Sequence, residues 1–327
     1  MKNQVTYLST DRLSIGYVQQ QKERSLFENL DLELMAGQLV CFMGPNGIGK
    51  SSLIRTLAGL QKPLSGQLQI KHTNKDASRA QQISVVLTDK ISSSAMTAYE
   101  VIAFGRYPYL DWSIRLSKKD EQIIANAIEM VHIEHLMNQK LYELSDGQLQ
   151  MVMIARALVQ DTPIILLDEP TAHLDLNNRV EVMKLLKRLS RTTSKAILVA
   201  THELDLALQL ADWIWLTGKN KEILTGMPEE LVLDGSFDAI FQFKGFDLKT
   251  GKIQHEAHKG IAVTLMGEDY EFRWTKNALE RNGFLVSNQH EAISISVIRE
   301  KDQVQWQLRQ SGDEKVFNSL SQLINSI

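Results

Sequence analysis

The stretch Gln38-Leu-Val-Cys-Phe-Met43-Gly44-Pro45-Asn46-Gly47-Ile48-Gly49-Lys50-Ser51-Ser52 decides how this chain folds. Its first part, Gln38–Met43, is an apolar run that suits a strand buried on both faces of a parallel sheet. Residues 44–51 fit the pattern G-x-x-x-x-G-K-[ST]. Leu53, Ile54, Leu57 and Ala58 then recur at helical spacing through Ser51–Gly59. A strand, a glycine-rich turn and a helix form the context in which this motif binds phosphate. The glycines let the backbone turn tightly and aim N–H groups at an anion. The helix adds the positive end of its dipole. Lys50 is expected to reach the β- and γ-phosphates, and the Ser51 hydroxyl to ligate Mg2+. Ser52 completes the expected cradle.

Apolar strands and amphipathic helices alternate outward from this stretch. Short strands are expected at Leu13–Tyr17 and Leu30–Leu34, with polar turn material at Gln19–Glu23. Ile83–Leu87, Pro163–Asp168 and Ala196–Ala200 read as further buried strands. Ala98–Phe104, Asp120–His132, Ser145–Leu158 and Asn177–Ser190 read as helices. This alternation predicts an α/β domain with a largely parallel sheet. Past about residue 235 the pattern changes. Strands are expected at Ile261–Leu265, Phe284–Ser287, Ile293–Ile298 and Val304–Leu308, and helices at Thr275–Asn282 and Val316–Ile324. That predicts a small α+β unit. Its strand at 293–298 alternates, with Ile293, Ile295 and Val297 on one face and Ser294 and Ser296 on the other.

The chain has 327 residues, room for roughly two domains at about 150 residues each. Lys and Arg total 36 against 39 Asp and Glu, a net charge of −3, which argues against a bulk nucleic-acid binder. The single cysteine excludes an intramolecular disulfide and fits a reducing compartment. The N-terminal segment lacks the apolar stretch of a signal peptide, and no run has the 18 or so apolar residues of a spanning helix. A soluble protein is therefore expected.

Ile164-Ile-Leu-Leu167 runs into Asp168 and Glu169. Ligands of α/β folds sit at strand carboxyl ends. Asp168 is expected to hold the metal, and Glu169 to polarise or deprotonate the attacking water. Leu144-Ser145-Asp146-Gly147-Gln148 lies 23 residues before Asp168. Together these motifs resemble the ATP-binding subunits of ABC transporters. That family's signature is usually L-S-G-G-Q, and here Asp146 replaces the first glycine. Ser145 also suits a helix N-cap.

The resemblance covers about residues 1–235 and implies several roles. Ser145 and Gly147, with Gln148, would face the γ-phosphate bound by the other subunit of a homodimer sandwiching two ATP. Tyr17 resembles the aromatic residue that stacks on adenine. Asp175, in Ala172-His-Leu-Asp175, resembles the loop aspartate that couples the two sites. His202, after the strand Ala196–Ala200, resembles the switch histidine that contacts the γ-phosphate, and with Lys50 and Glu169 it makes up the expected catalytic set. Where the family usually has a metal-sensing glutamine, after Val85-Val86-Leu87, this chain has Thr88, with Asp89 beside it. The shorter side chain puts the metal contact in doubt.

Gly105-Arg106-Tyr107-Pro108-Tyr109 looks like the helical subdomain of ATPases that serve iron–siderophore, haem and cobalamin importers. The implied protein is an ATP- and Mg2+-dependent ATPase. It would lie on the inner face of a bacterial membrane, paired with a multi-helix permease and indirectly with a substrate-binding protein, with no nucleic acid. A soluble ABC ATPase of translation or repair and an exporter ATPase are the alternatives. There is one cassette here, and the 95 residues from Lys50 to Ser145 show no sustained heptads. The expected organisation is a P-loop ABC cassette at 1–236 with a helical subdomain at about 90–160. A linker at 237–259 and an accessory α+β domain at 260–327, regulatory or dimer-supporting, complete it.

Overall fold

The computed structural model describes residues 5–19, 22–71, 77–88, 95–218, 220–243, 246–248, 252–253, 257–287, 289–300 and 303–327. Asp89 lies outside the described residues. The chain divides into two compact units, Met1–Gln242 and Phe243–Ile327.

The first unit holds two sheets. In the smaller one, the long strand β1 (Thr6–Gln19) pairs antiparallel with β2 (Lys22–Leu30), β3 (Glu33–Met35) and β5 (Ser65–Ile70). The larger has six strands in the order β10-β9-β4-β8-β7-β6. These are β4 (Leu39–Met43), β6 (Ile83–Val86), β7 (Ile164–Asp168), β8 (Ala196–Ala200), β9 (Trp213–Thr217) and β10 (Ile223–Gly226). All neighbours are parallel except the antiparallel β9–β10 pair. Every residue of β4, β7 and β8 is buried, which explains why their sequences run apolar without alternation. The two sheets share one core. Phe27 of β2 meets Phe42 of β4 edge-on at 6.1 Å, and Phe42 meets Trp215 of β9 at 6.3 Å.

Helices α1 (Lys50–Leu57), α2 (Arg79–Gln82), α3 (Ala98–Ala103), α4 (Lys118–Val131), α5 (Asp146–Val159), α6 (Leu176–Thr193), α7 (Leu204–Leu210), α8 (Pro228–Leu233) and α9 (Ser236–Phe241) complete this unit. Sequence sets their ends: Thr97, Ser117 and Ser145 each cap a helix by accepting the backbone N–H three residues on. Helix α9 occupies the start of the expected linker, and its Phe237 is fully buried within the first unit.

The second unit contains β11 (Phe246–Asp247) and β12 (Lys252–Ile253), paired with each other. Its five-stranded sheet has the order β14-β13-β15-β16-β17. The strands are β13 (Ala262–Met266), β14 (Leu285–Ser287), β15 (Ile293–Glu300), β16 (Gln303–Gln310) and β17 (Asp313–Phe317), with helices α10 (Asp269–Arg281) and α11 (Leu320–Ser326). Val263, Leu279, Phe284, Ile295 and Leu308 form its core together with Leu323, and Val297 packs against them. The alternation read along β15 is therefore the alternation of that core.

Three expectations are corrected. Leu30–Leu34 is not one strand: β2 ends at Leu30, and β3 starts at Glu33 on the other edge of β1. Val316–Ile324 is not one helix, because Val316 pairs with Gln307 in β17 and only Leu320–Ser326 is helical. The helix expected from Thr275 begins six residues earlier, at Asp269, where charged residues obscure the apolar stripe.

One buried ion pair locks the helical region. Arg106 is 4% exposed; its Nε donates to Asp120 Oδ1 at 2.8 Å and its Nη1 to the Val159 carbonyl at 2.9 Å. Its guanidinium also lies 4.0 Å from the Tyr109 ring centroid. Hydrogen bonds from Ser117, together with Arg106, hold the Asp120 carboxyl below the usual range. Removing one partner leaves the other charged and buried. Arg106→Ala should lower unfolding free energy by about 3–5 kcal/mol, read from urea denaturation. A change below about 1 kcal/mol would show the pair to be dispensable.

Candidate functional site

Four neighbouring parallel strands, β4, β8, β7 and β6, end side by side. Strands in one sheet lie about 4.8 Å apart, so whatever follows their carboxyl ends is brought together. After β4 comes the phosphate-loop segment, after β8 His202, after β7 Glu169, and after β6 Thr88; Asp168 closes β7.

The loop itself is shaped by its glycines. Gly47 and Gly49 have φ of 75° and 119°, where a side chain is strained, and Gly49 caps α1. A Cβ on Gly49 would also sit 3.1 Å from Leu26 and Phe27. Lys50 is 5% exposed. Its Nζ donates to the Gly44 carbonyl at 2.9 Å and the Pro45 carbonyl at 3.2 Å, so the ammonium closes the loop on itself. Burial lowers its pKa, opposed by Glu169 and Asp168. Beneath the loop, Cys41 of β4 is fully buried, and burial pushes its thiol up to about 12. The Tyr17 hydroxyl shares a hydrogen bond with Ser52 Oγ, while Tyr17 is 44% exposed. The ring stands beside the first turn of α1, held by its phenol end.

The acidic end of β7 is 4% exposed at Asp168. Burial raises the Asp168 carboxyl pKa; hydrogen bonding from Ser51 opposes this, and Glu169 reinforces it. Its buried Oδ1 has no hydrogen-bond partner among the described residues. The Thr88 hydroxyl donates to the Asp168 carbonyl at 2.9 Å. Glu169 turns away from the strand at φ 48°, with its N–H bonded to the Ala200 carbonyl at 2.9 Å. That places its carboxylate 3.7 Å from His202 Nδ1.

The loop after β7 and the signature are joined within one chain. Asp175 caps α6: its Oδ1 accepts from Asn178 N at 2.9 Å and its Oδ2 from Asn178 Nδ2 at 2.8 Å. The Asn178 side chain lies against Gly147, where any Cβ would be 2.9 Å from Asn178 Cγ. Ser145 accepts from the Gln148 backbone N–H at 3.2 Å, and the Gln148 side chain accepts from Ser145 N at 3.0 Å. Both side chains of the signature are thus engaged in capping α5. Arg179 was not evident from sequence. Its Nε donates to the Leu174 carbonyl at 2.6 Å, and its Nη1 lies 2.9 Å from Glu203, which in turn is 3.6 Å from His202 Nε2. A cationic residue one turn past the Asp175 cap is the signal that could have marked it.

The chain's relatives fit this geometry. Residues 27–172 match the ABC transporter family, and residues 259–327 match the iron ABC transporter C-terminal domain. The petrobactin import ATP-binding protein FpuD of Bacillus anthracis is 35% identical over 229 residues, covering 69% of this chain and 82% of that protein. This chain belongs to the ATP-binding subunits of ABC transporters. As such it is an ATPase, with the α/β cassette fold that the motifs imply. A solved metal-chelate type ABC transporter in an inward-facing conformation is similar, with TM-score 0.64 and 26% identity over 73% of this chain and 90% of that one. The dimeric structure of the bacterial ABC transporter cassette MJ0796 is also similar, with TM-score 0.57 and 26% identity over 68% of this chain and 98% of that one.

Lys50→Ala should weaken ATP binding about 10- to 100-fold, because a charge-assisted phosphate contact is lost. A fluorescent-nucleotide titration measures it. Unchanged affinity would remove Lys50 from the binding set.

Proposed function

We propose that this ABC ATPase powers an importer of a ferric siderophore or a related metal chelate. The match of residues 259–327 to the iron ABC transporter C-terminal domain carries the reading. The relatives' names, petrobactin import and ferric enterobactin transport among them, support it. The permease partner and the inner face of the membrane belong to the same proposal. No helix among the described residues is long and apolar enough to cross a membrane.

The residues around the strand ends divide the chemistry. Backbone N–H groups of Gly44 and of residues 46–49 and the ammonium of Lys50 hold phosphate, and Ser51 and Ser52 open α1 beneath it. Mg2+ fits the site: Asp168 offers a buried, partnerless oxygen beside the Ser51 hydroxyl. Among the described residues no group of three or more His, Cys, Asp and Glu could hold a metal ion by itself, so phosphate and water oxygens would complete the coordination of Mg2+ here. When bound, the cation neutralises charge between the phosphates. Glu169 accepts the proton of the attacking water, and His202, facing Glu169, holds that geometry. Tyr17 stands where an adenine would stack. Ser145 and Gly147 serve the partner subunit's nucleotide, so two chains close two sites. Asp175 links them through Asn178.

In this scheme Glu169→Gln binds ATP but does not turn over. The purified variant should dimerise when ATP and Mg2+ are added, read by light scattering. A variant that stays monomeric at high concentration would break the pairing scheme. Deleting the gene in its native cells should cut accumulation of radio-iron supplied as a ferric chelate, with rescue by wild type and not by Glu169→Gln. Normal uptake of every ferric chelate and of haem would refute the cargo and leave the ATPase standing.

A further inference from the structure

Thr88 leaves something undone. The position it fills resembles one the family gives to a glutamine; the Thr88 hydroxyl donates to the backbone carbonyl of Asp168 and is only a minor influence on its carboxyl. A threonine is two bonds shorter than a glutamine, so no carboxamide reaches the acidic strand end from β6. Another one faces the same space from the opposite wall. Gln150 lies on α5, two residues past Gln148, among residues that are otherwise apolar through Ala155. Its Nε2 is buried and has no hydrogen-bond partner among the described residues. One cavity is lined by Gln150 and Asp146 of α5, by Thr88, by Asp168 and Glu169, and by Leu174 of the following loop. The partnerless oxygen in that region is Asp168 Oδ1. A buried donor and a buried acceptor, each without a partner among the described residues, therefore belong to residues that line one cleft. Buried polar groups rarely stay unpaired.

We propose that Gln150 is a positioning residue for ATP hydrolysis. Its carboxamide acts on the carboxylate pair at the end of β7, doing from α5 what a glutamine after β6 would do. A donated N–H fixes a carboxylate's direction. The carboxamide rides on the helix whose first turn carries Ser145 and Gly147. Movement of the signature is thereby transmitted to the hydrolytic carboxylates of the same chain. This rests on the roles proposed above for Asp168 and Glu169.

The test uses the full-length chain and three variants. Gln150→Met keeps length and volume, Gln150→Glu adds a fourth carboxylate beside Asp146, Asp168 and Glu169, and Gln150→Met with Thr88→Gln moves the carboxamide to the Thr88 position. In Gln150→Met, kcat should fall about 10- to 100-fold with little change in KM for ATP. The gain in nucleotide affinity on adding Mg2+, read by fluorescent-nucleotide titration, should shrink. Gln150→Glu, which replaces the donor by an acceptor at the same length, should lose turnover at least as far as Gln150→Met. Adding Thr88→Gln should restore turnover. The proposal is overturned if kcat and the Mg2+ effect both stay as in wild type. It is equally overturned if Thr88→Gln gives no rescue and only melting temperature has dropped, which marks a packing role. Wild-type protein that binds ATP without hydrolysing it would overturn the assigned chemistry instead, and the Mg2+-dependent affinity would still decide the place of Gln150.

Discussion

Parallel pairing of β4, β8, β7 and β6 is the constraint on which the rest depends. Each strand is short and packed between layers, so its register is set by apolar contacts above and below. A slip of one strand would carry its terminal residue out of line with its neighbours. Because Leu167 pairs with Val199 and Asp168 with Ala200, Glu169 and His202 emerge at one height. Because Phe42 pairs with Ala200, the phosphate loop starts at that height too. The loop, the carboxylates and the histidine come from segments far apart in the chain, and only the sheet makes them neighbours.

The parts written in the chain as local pattern are legible in the sequence alone. Buried strands announce themselves as apolar runs, and the phosphate loop carries its glycines at fixed spacing. Helix starts are readable from Ser145 and Asp175, whose side chains do cap helices. What stays hidden is non-local. Nothing near Arg106 in sequence says that it will meet Asp120 inside the helical region, and nothing at Arg179 announces Leu174 and Glu203 as joint partners. The boundary between β2 and β3 also depends on tertiary choice: Leu30, Leu32 and Leu34 alternate with acids as one strand would, and the fold uses that run to feed two edges of β1. At Val316–Ile324, helical spacing of apolar residues concealed the end of an edge strand, because edge positions need not alternate.

The second unit is built to a different plan. Its sheet mixes parallel and antiparallel neighbours and buries a small apolar cluster. Its exposed β17 ladder and polar alternate residues give it a surface unlike that of the cassette sheet. The sequence carried the alternation of β15 clearly, since a sheet with a helical layer over its core face leaves a period of two in the chain. It carried the helices poorly, because Tyr270 and Trp274 of α10 face outward and blur the boundary between stripe and surface.

The buried thiol of Cys41 has a chemical consequence of its own. Only a thiolate reacts readily with peroxide, and a thiol held near a pKa of about 12 has almost none at neutral pH. Burial denies access as well. The strand that carries the phosphate loop therefore presents oxidants with no reactive thiol, and the chain has no other cysteine. The strand that leads into the phosphate loop is closed to thiol oxidation whatever the redox state around it.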